Sequence, residues 1–203
     1  MNILYFFIGT EAELMKMFKV IDRARKQGFL CKIISNGQNL IDKSYFLPMA
    51  GGRIDIDLSQ HASTSKSSIG YMKWFLKTER KGVQVMRKEF KQYKNDNCLM
   101  VVHGDTLSTL MGARIARKIK MKYIHVESGL RSYHWLSPFP EEIDRFFSSL
   151  HSEINFCPKD SYAEYAAKRF VGKSVSTTYN TGIETLMYAL EKNKKNQSIH
   201  RKY

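Results

Sequence analysis

Short apolar runs alternate along the chain with longer segments in which apolar residues recur at helical spacing. The pattern predicts strands at residues 3–8, 31–35, 54–58, 98–103, 122–127, 154–156 and 175–179. It predicts helices at residues 11–27, 67–94, 107–119, 141–151 and 161–170, and Gly82 is a candidate break in the second. Because consecutive parallel strands are joined by right-handed crossovers, this alternation predicts an α/β fold with a Rossmann-like, doubly wound parallel sheet.

The first helix is marked at both ends in the sequence. Thr10 and Glu13 have the spacing of a capping box, in which each side chain bonds to the other residue's backbone. Gly28 stands where a left-handed residue is expected after a helix. The preceding run at residues 3–8 is apolar throughout, which is typical of a strand that is covered on both faces.

The composition is that of a globular chain with a large excess of positive charge. The 203 residues include 33 Lys and Arg against 19 Asp and Glu, a net charge of +14, and 43% are hydrophobic. This composition excludes a disordered or collagen-like chain, and no apolar run approaches the ~18–20 residues of a membrane span. The start of the chain has no basic region or cleavage site of a signal peptide. We therefore expect a cytoplasmic protein with no membrane contact.

The charge predicts an anionic partner without choosing its kind. Lys and Arg are scattered over the helices, and no nucleic-acid-binding motif is present, so nucleic acid is not the expected partner. The three cysteines have neither zinc spacing nor the density of a disulfide scaffold. The sequence also lacks HExxH, CxxC and nucleophile-elbow motifs, which leaves metal hydrolysis and acyl transfer without support.

Charged residues cluster just after two of the buried strands and at the start of the helix that follows. The segments are HGDT at residues 103–106, HVESGLR at 125–131 and SPFPEEIDR at 137–145. Ligands bind outside the carboxyl ends of the strands in such sheets. We therefore expect the acids Asp105, Glu127 and Glu141 to lie at one rim with Arg131 and Arg145 nearby. Carboxylates beside cations suit general acid and base catalysis, because like charges raise one pKa while an arginine lowers another.

Each of these residues also has a structural alternative. Asp105 would cap its helix in one interpretation, and Glu127 would pair with Arg131. Glu141 and Arg145 are four residues apart and have the spacing of a helix-surface ion pair.

Two histidines stand near the ends of the same strands. For His103 and His125, a buried imidazole with hydrogen-bond partners is favoured over a metal ligand.

HGDT, HVESGLR and SPFPEEIDR, in that order and spacing, resemble the non-hydrolysing UDP-N-acetylglucosamine 2-epimerase family. GTEAELMKM at residues 9–17 is similar to that family's GTRPE…KM opening. Asn180-Thr181-Gly182, followed by an apolar helix, resembles its interdomain hinge. The resemblance covers essentially the whole chain and is most specific at residues 101–160.

The resemblance implies a two-domain enzyme of the glycosyltransferase-B type that binds a UDP-sugar between its domains. Residues 1–179 would be the Rossmann-like N-terminal domain, and residues 180–203 the hinge, one helix to about residue 190 and a basic tail. Such enzymes invert C2 of UDP-GlcNAc to give UDP-ManNAc by eliminating UDP and adding it back, with no cofactor and no metal. The implied acid, base and sugar-orienting residues are Asp105, Glu127 and Glu141, and the implied substrate-binding residues are Lys16, Arg131 and Arg145.

The chain departs from the family pattern in three places. Glu11-Ala12 replaces the family's Arg-Pro, Asp144 replaces an Asn, and family members run to nearly twice this length. We therefore expect the chain to be inactive alone and to need a C-terminal domain in cis or in trans, with a homodimer as a further partner to be considered. Two other functions remain open: a hydrolysing 2-epimerase that releases UDP and free ManNAc, and a degenerate, non-catalytic binding domain.

Overall fold

A seven-stranded parallel sheet runs through the centre of the molecule, with helices on both faces. The computed structural model describes residues 1–59, 68–93, 97–131 and 141–200, and the side chains of Ser68, Glu141 and residues 193–200 are outside the description. The strands are β1 (Asn2–Ile8), β2 (Leu30–Ser35), β3 (Ile56–Asp57), β4 (Asn97–His103), β5 (Lys122–Val126), β6 (Ile154–Cys157) and β7 (Lys173–Ser176). The helices are α1 (Glu11–Lys26), α2 (Ser68–Gln92), α3 (Leu107–Lys118), α4 (Glu141–Ser149), α5 (Asp160–Arg169) and α6 (Thr181–His200).

The strand order is β3-β2-β1-β4-β5-β6-β7, and every neighbouring pair is parallel. The chain adds β2 and then β3 on one side of β1, and then crosses over to add β4, β5, β6 and β7 on the other side. The predicted doubly wound α/β fold is confirmed.

Residues 3–8 of strand β1 are apolar because the strand has a core on each face. Tyr5 and Phe7 belong to the core that is shared with α2 and α3. Phe6 and Ile8 point to the opposite face and pack among residues of α1. All four side chains are almost completely buried. The continuous apolar run therefore reflects a central strand that is covered on both sides.

The predicted boundaries of α1 are confirmed by its contacts. The Thr10 hydroxyl accepts from the Glu13 amide, and the Glu13 carboxylate accepts from the amides of Gly9 and Thr10. This reciprocal arrangement is a capping box. Gly28 has a φ of +86°, the left-handed conformation that was predicted for it after the helix.

The prediction of a break at Gly82 is wrong, because α2 continues through it. A Cβ atom at Gly82 would lie 2.4 Å from Cδ1 of Ile115, a buried residue of α3. The missing side chain therefore allows two helices to pack closely, and glycine is tolerated inside a helix when packing compensates for its low helix propensity.

The last helix is longer than the sequence indicated. We expected it to end near residue 190, but α6 extends to His200. After Gly182 the segment contains no proline or glycine. Its polar, basic residues are compatible with a solvated helix, so polarity alone did not mark the end.

Helix α6 lies against α1 on one face of the sheet. The Thr185 hydroxyl donates to the Met15 carbonyl at 2.7 Å, and the Tyr188 ring meets Phe18 edge-on with centroids 5.6 Å apart. The Lys19 ammonium sits 4.5 Å from the centroid of the Tyr188 ring. These contacts fix the start of α6 near the carboxyl ends of the central strands.

None of the helices in the described ranges is long and apolar enough to cross a membrane. The three cysteines are free thiols, of which Cys31 and Cys157 are buried.

Candidate active site

Glu127 follows β5 at the carboxyl edge of the sheet and is the centre of a polar cluster. Its φ of +63° is in the left-handed region, which is uncommon for a residue with a side chain. The Lys16 ammonium lies 3.0 Å from Oε1 and 2.9 Å from Oε2 of its carboxylate. Asn180 Nδ2 donates to Oε1 at 2.8 Å, and His103 Nε2 lies 2.9 Å from Oε2. Elements that are far apart in sequence therefore meet on one carboxylate.

The partners of Glu127 determine its charge. Burial by itself would raise the pKa of this carboxyl, but hydrogen bonds and charge from His103 and Lys16 outweigh burial and lower the pKa to about 2. Glu127 is therefore ionised at neutral pH, and it is a weak base as long as these partners stay in place.

His103, at the end of β4, is buried as predicted, but only one of its two ring nitrogens has hydrogen-bond partners among the described residues. Nε2 approaches Glu127 and also lies 3.3 Å from the Thr181 hydroxyl. Its other nitrogen, Nδ1, is buried and has no hydrogen-bond partner within the described ranges. The Glu127 carboxylate can only accept a hydrogen bond, so Nε2 carries a proton and donates toward it.

His125 on β5 matches the prediction of a buried imidazole with hydrogen-bond partners. Nε2 lies 2.7 Å from the Gly104 carbonyl, and Nδ1 lies 2.9 Å from the Ser149 hydroxyl. The carbonyl can only accept, so Nε2 carries the proton. Burial lowers the pKa of His125 to about 4, and the ring is neutral at pH 7. His125 therefore ties the turn after β4 to helix α4.

Asp105 and Arg145 form the second charged pair at this edge. Arg145 donates from Nε and Nη2 to Asp105 Oδ2 at 2.8 and 2.5 Å, and its Nη1 lies 3.5 Å from Oε2 of Glu142. The alternative in which Asp105 caps its helix is wrong, because the capping residue of α3 is Thr106. The predicted proximity of Asp105 and Arg145 is confirmed.

Arg131 is turned away from Glu127. Its guanidinium pairs with the Glu142 carboxylate, donates to the Tyr165 hydroxyl at 2.8 Å and stacks near the Phe146 ring. The alternative pairing of Glu127 with Arg131 is therefore wrong, because Glu127 pairs with Lys16. Substrate binding by Arg131 stays a prediction.

Glu141 is the first residue of α4, and its side chain lies outside the described residues. Its roles as a catalytic acid and as a partner of Arg145 remain predictions. Two of the three departures from the family pattern are substitutions within the described residues: the exposed Glu11 accepts from the Ser44 hydroxyl at 2.7 Å, and Asp144 is buried. Among the described residues, no three His, Cys, Asp or Glu side chains are grouped so that they could hold a metal ion.

Sequence reasoning did not assign His103, Asn180 and Thr181 to the Glu127 cluster. From the sequence, Asn180 and Thr181 are identifiable only as part of a hinge-like segment. Asn180 also accepts from the Gly182 amide at 2.7 Å, so one side chain holds both the start of α6 and Glu127. The available signal was an asparagine directly before a helix, a common capping position.

An open groove of about 790 Å³ continues from this cluster along the sheet face that carries α1 and α6. Its lining is mainly apolar and includes Val126, Phe156, Met187 and Tyr188. Glu127, Asn180 and Thr181 supply part of its polar lining.

The fold and the charged edge together define a Rossmann-like α/β protein with a candidate site for an anionic ligand. A family model described as UDP-N-acetylglucosamine 2-epimerase matches residues 22–203. The chain belongs to the UDP-N-acetylglucosamine 2-epimerase family.

Similar sequences carry the same name. The chain is 38% identical over 94 residues to a UDP-N-acetylglucosamine 2-epimerase from Neisseria meningitidis serogroup A, a match over 46% of this chain and 25% of the relative. It is 27% identical over 194 residues to a UDP-N-acetylglucosamine 2-epimerase from Methanococcus maripaludis, a match over 95% of this chain and 49% of the relative.

Solved structures share the fold. A UDP-GlcNAc 2-epimerase from Neisseria meningitidis, in a crystal structure bound to UDP-GlcNAc, has a TM-score of 0.75 at 28% identity over 96% of this chain and 51% of that chain. The UDP-GlcNAc 2-epimerase from Methanocaldococcus jannaschii has a TM-score of 0.72 at 25% identity over 99% of this chain and 52% of that chain. The chain spans about half the length of these structures and of the Methanococcus relative.

Proposed function

We propose that this chain supplies one half of the active site of a UDP-GlcNAc 2-epimerase, the half that holds the acidic groups. The observation that carries the proposal is the ionised Glu127 carboxylate at the carboxyl edge of the sheet, bonded to Lys16, His103 and Asn180. Membership of the family and the UDP-GlcNAc-bound relative from Neisseria meningitidis support a UDP-sugar as the ligand.

The cations at this edge suit a diphosphate. The Lys16 side chain is 29% exposed and carries its charge on a flexible stem at the rim. The Arg145 side chain is 20% exposed and is held in place by Asp105. Lys16 is assigned to the diphosphate, and Arg145 orients Asp105 toward the sugar.

The reaction requires a base and an acid at C2 of the sugar. A carboxylate of this chain takes the C2 proton, the electron pair forms the C1–C2 double bond, and the C1–O bond breaks as UDP departs. Protonation of C2 from the other face and return of the UDP oxygen to C1 give the epimer. Asp105, Glu127 and Glu141 are the candidates for these proton transfers.

Turnover is proposed to need the rest of the relatives' length, in cis or in trans, because this chain spans about half of it. The isolated chain is proposed to bind UDP-GlcNAc weakly through its own residues without converting it.

The test is proton NMR of UDP-GlcNAc mixed with the 203-residue chain, which reports binding by saturation transfer and conversion by the anomeric signals. We expect saturation transfer to the nucleotide sugar, no UDP-ManNAc and no free ManNAc. Lys16→Met should weaken binding. The matched control Lys122→Met should keep it, since Lys122 belongs to an exposed pair with Glu153 at 3.5 Å. Absence of binding by the unaltered chain overturns the proposal, and turnover by the chain alone overturns the requirement for the remaining length.

A further inference from the structure

Lys16 and Glu127 neutralise each other in the ligand-free chain. The ammonium lies within 3.0 Å of both carboxylate oxygens, and the Glu127 side chain is only 8% exposed. A diphosphate that binds at this rim would need the same ammonium group, so the two anions compete for one cation. This competition matters only if the proposed function, in which Lys16 binds the diphosphate, is correct.

The two sides of the carboxylate are held differently. On one side is a lysine with a flexible, partly exposed side chain. On the other, Asn180 donates to Oε1 at 2.8 Å and the buried His103 approaches Oε2 at 2.9 Å. If Lys16 leaves, each oxygen therefore keeps one partner, and no buried acceptor is left unsatisfied.

The remaining partners are themselves anchored. Asn180 accepts from the Gly182 amide at 2.7 Å at the start of α6, and α6 is fixed to α1 through the Thr185 hydroxyl and the Met15 carbonyl. His103 ends the central strand β4. The carboxylate therefore has a rigid support that does not depend on Lys16.

We propose that Lys16 is a shared cation, which binding of a diphosphate transfers from Glu127 to the ligand, while Asn180 and His103 act as positioning residues that keep Glu127 in place. In the ligand-free chain the Lys16 ammonium forms an ion pair with the Glu127 carboxylate and neutralises it. In the liganded chain Glu127 loses the counter-charge of Lys16 and becomes a better proton acceptor.

A consequence is that Glu127 opposes binding of the diphosphate. Removing its charge without changing its shape should free Lys16 and strengthen binding of phosphate anions. Glu127→Gln is therefore expected to bind inorganic pyrophosphate and UDP more tightly, by on the order of tenfold, the factor expected when a partly buried ion pair no longer has to be broken. A carboxylate that merely repels the ligand would give a gain that persists when Lys16 is replaced, so the double variant separates the two cases.

The experiment is isothermal titration of pyrophosphate and of UDP into the full chain and its Glu127→Gln, Lys16→Met and doubly substituted variants. Lys16→Met should weaken binding, and the gain from Glu127→Gln should vanish in the double variant, because the two residues act through one interaction. Glu153→Gln is the matched control: it also removes one negative charge, from an exposed pair, and should leave affinity unchanged.

A second measurement covers the case in which Glu127→Gln does not fold. In the unaltered chain labelled with ¹⁵N-lysine, the Lys16 ammonium signal should shift on addition of pyrophosphate. Equal or weaker pyrophosphate binding by a folded Glu127→Gln variant, or an unchanged Lys16 signal at saturating ligand, overturns the inference. UDP-GlcNAc binding that is intact in either case leaves the proposed function standing.

Discussion

Glu13 and Thr106 join the starts of two helices through one hydrogen bond, in which the Thr106 hydroxyl donates to Glu13 Oε1 at 2.5 Å. The other oxygen of Glu13 accepts from the amides of Gly9 and Thr10. The carboxylate is buried, and burial raises its pKa, opposed by these hydrogen bonds. The first turns of α1 and α3 are thereby fixed to each other beside the candidate active site.

Glu13→Ala should therefore destabilise the chain strongly. The substitution leaves two backbone amides and one hydroxyl without their acceptor, and we expect a loss of about 3 kcal/mol in the free energy of unfolding. Urea denaturation at pH 7 measures it. Glu11→Ala, in the same helical turn but exposed, is the control and should cost less than about 1 kcal/mol. Equal losses for the two variants would show that the buried carboxylate does not link the helices.

Because of Glu127, the free energy of unfolding should decrease when the pH is lowered. The pKa of this residue is about 2 in the folded chain against 4.5 ordinarily, so its contribution is complete above pH 4.5 and is lost as the pH falls toward 2. This shift in pKa corresponds to about 3 kcal/mol in the free energy of unfolding. Urea unfolding of the unaltered chain and of Glu127→Gln should give stabilities that converge over this range. A difference that stays constant from pH 6 to pH 3 contradicts the ion-paired state of Glu127.

His125 should also make the chain less stable on acidification, beginning at a higher pH than the loss that is due to Glu127. The pKa of His125 is lowered from 6.5 to about 4 by burial, so the unfolded chain takes up a proton before the folded chain does. Stability from this group is full above pH 6.5 and decreases as the pH falls toward 4, and we expect a loss of about 2 kcal/mol at pH 5. His125→Gln should remove this slope. His151→Gln, at an exposed position, should retain most of it.

Gly129 should tolerate alanine poorly. Its φ is +82°, and a Cβ atom would lie 2.7 Å from the Tyr162 carbonyl oxygen. Gly28 has a similar φ of +86° but open space around the added atom. Gly28→Ala should cost about 1 kcal/mol for backbone strain alone, and Gly129→Ala about 3 kcal/mol because the clash is added. Thermal unfolding of both variants separates the two contributions, and equal values would exclude the clash.

The fold was predictable because its strongest determinants are local. An apolar run before a capping box, as in Thr10 and Glu13, predicts a strand, a turn and a helix without knowledge of any distant contact. The effect of Gly82 was not predictable in this way. Gly82 lies inside a helix and allows close packing against Ile115, a residue of α3 that is distant in the sequence. The local sequence around Gly82 does not contain this information.

Part of the candidate site was also predictable from local sequence, because strand ends can be located without knowledge of distant contacts. The crossover rule placed Asp105 and Glu127 at one edge, and the structure brings Arg145 to Asp105 as expected. The partner of Glu127 was not predictable from spacing, because Lys16 and Asn180 approach it from α1 and from the start of α6. Pairings between distant elements are set by packing.

The position of Asn180 gives α6 a mechanical role. A helix of its length extends about 30 Å from the site, at 1.5 Å per residue, and its first turn is bonded to Glu127 through one amide. Thr185 and Tyr188 brace this end of the helix against α1, so a force applied at the far end would be carried into α1 before it displaced Asn180. The geometry around Glu127 is therefore coupled to the packing of α6 on α1.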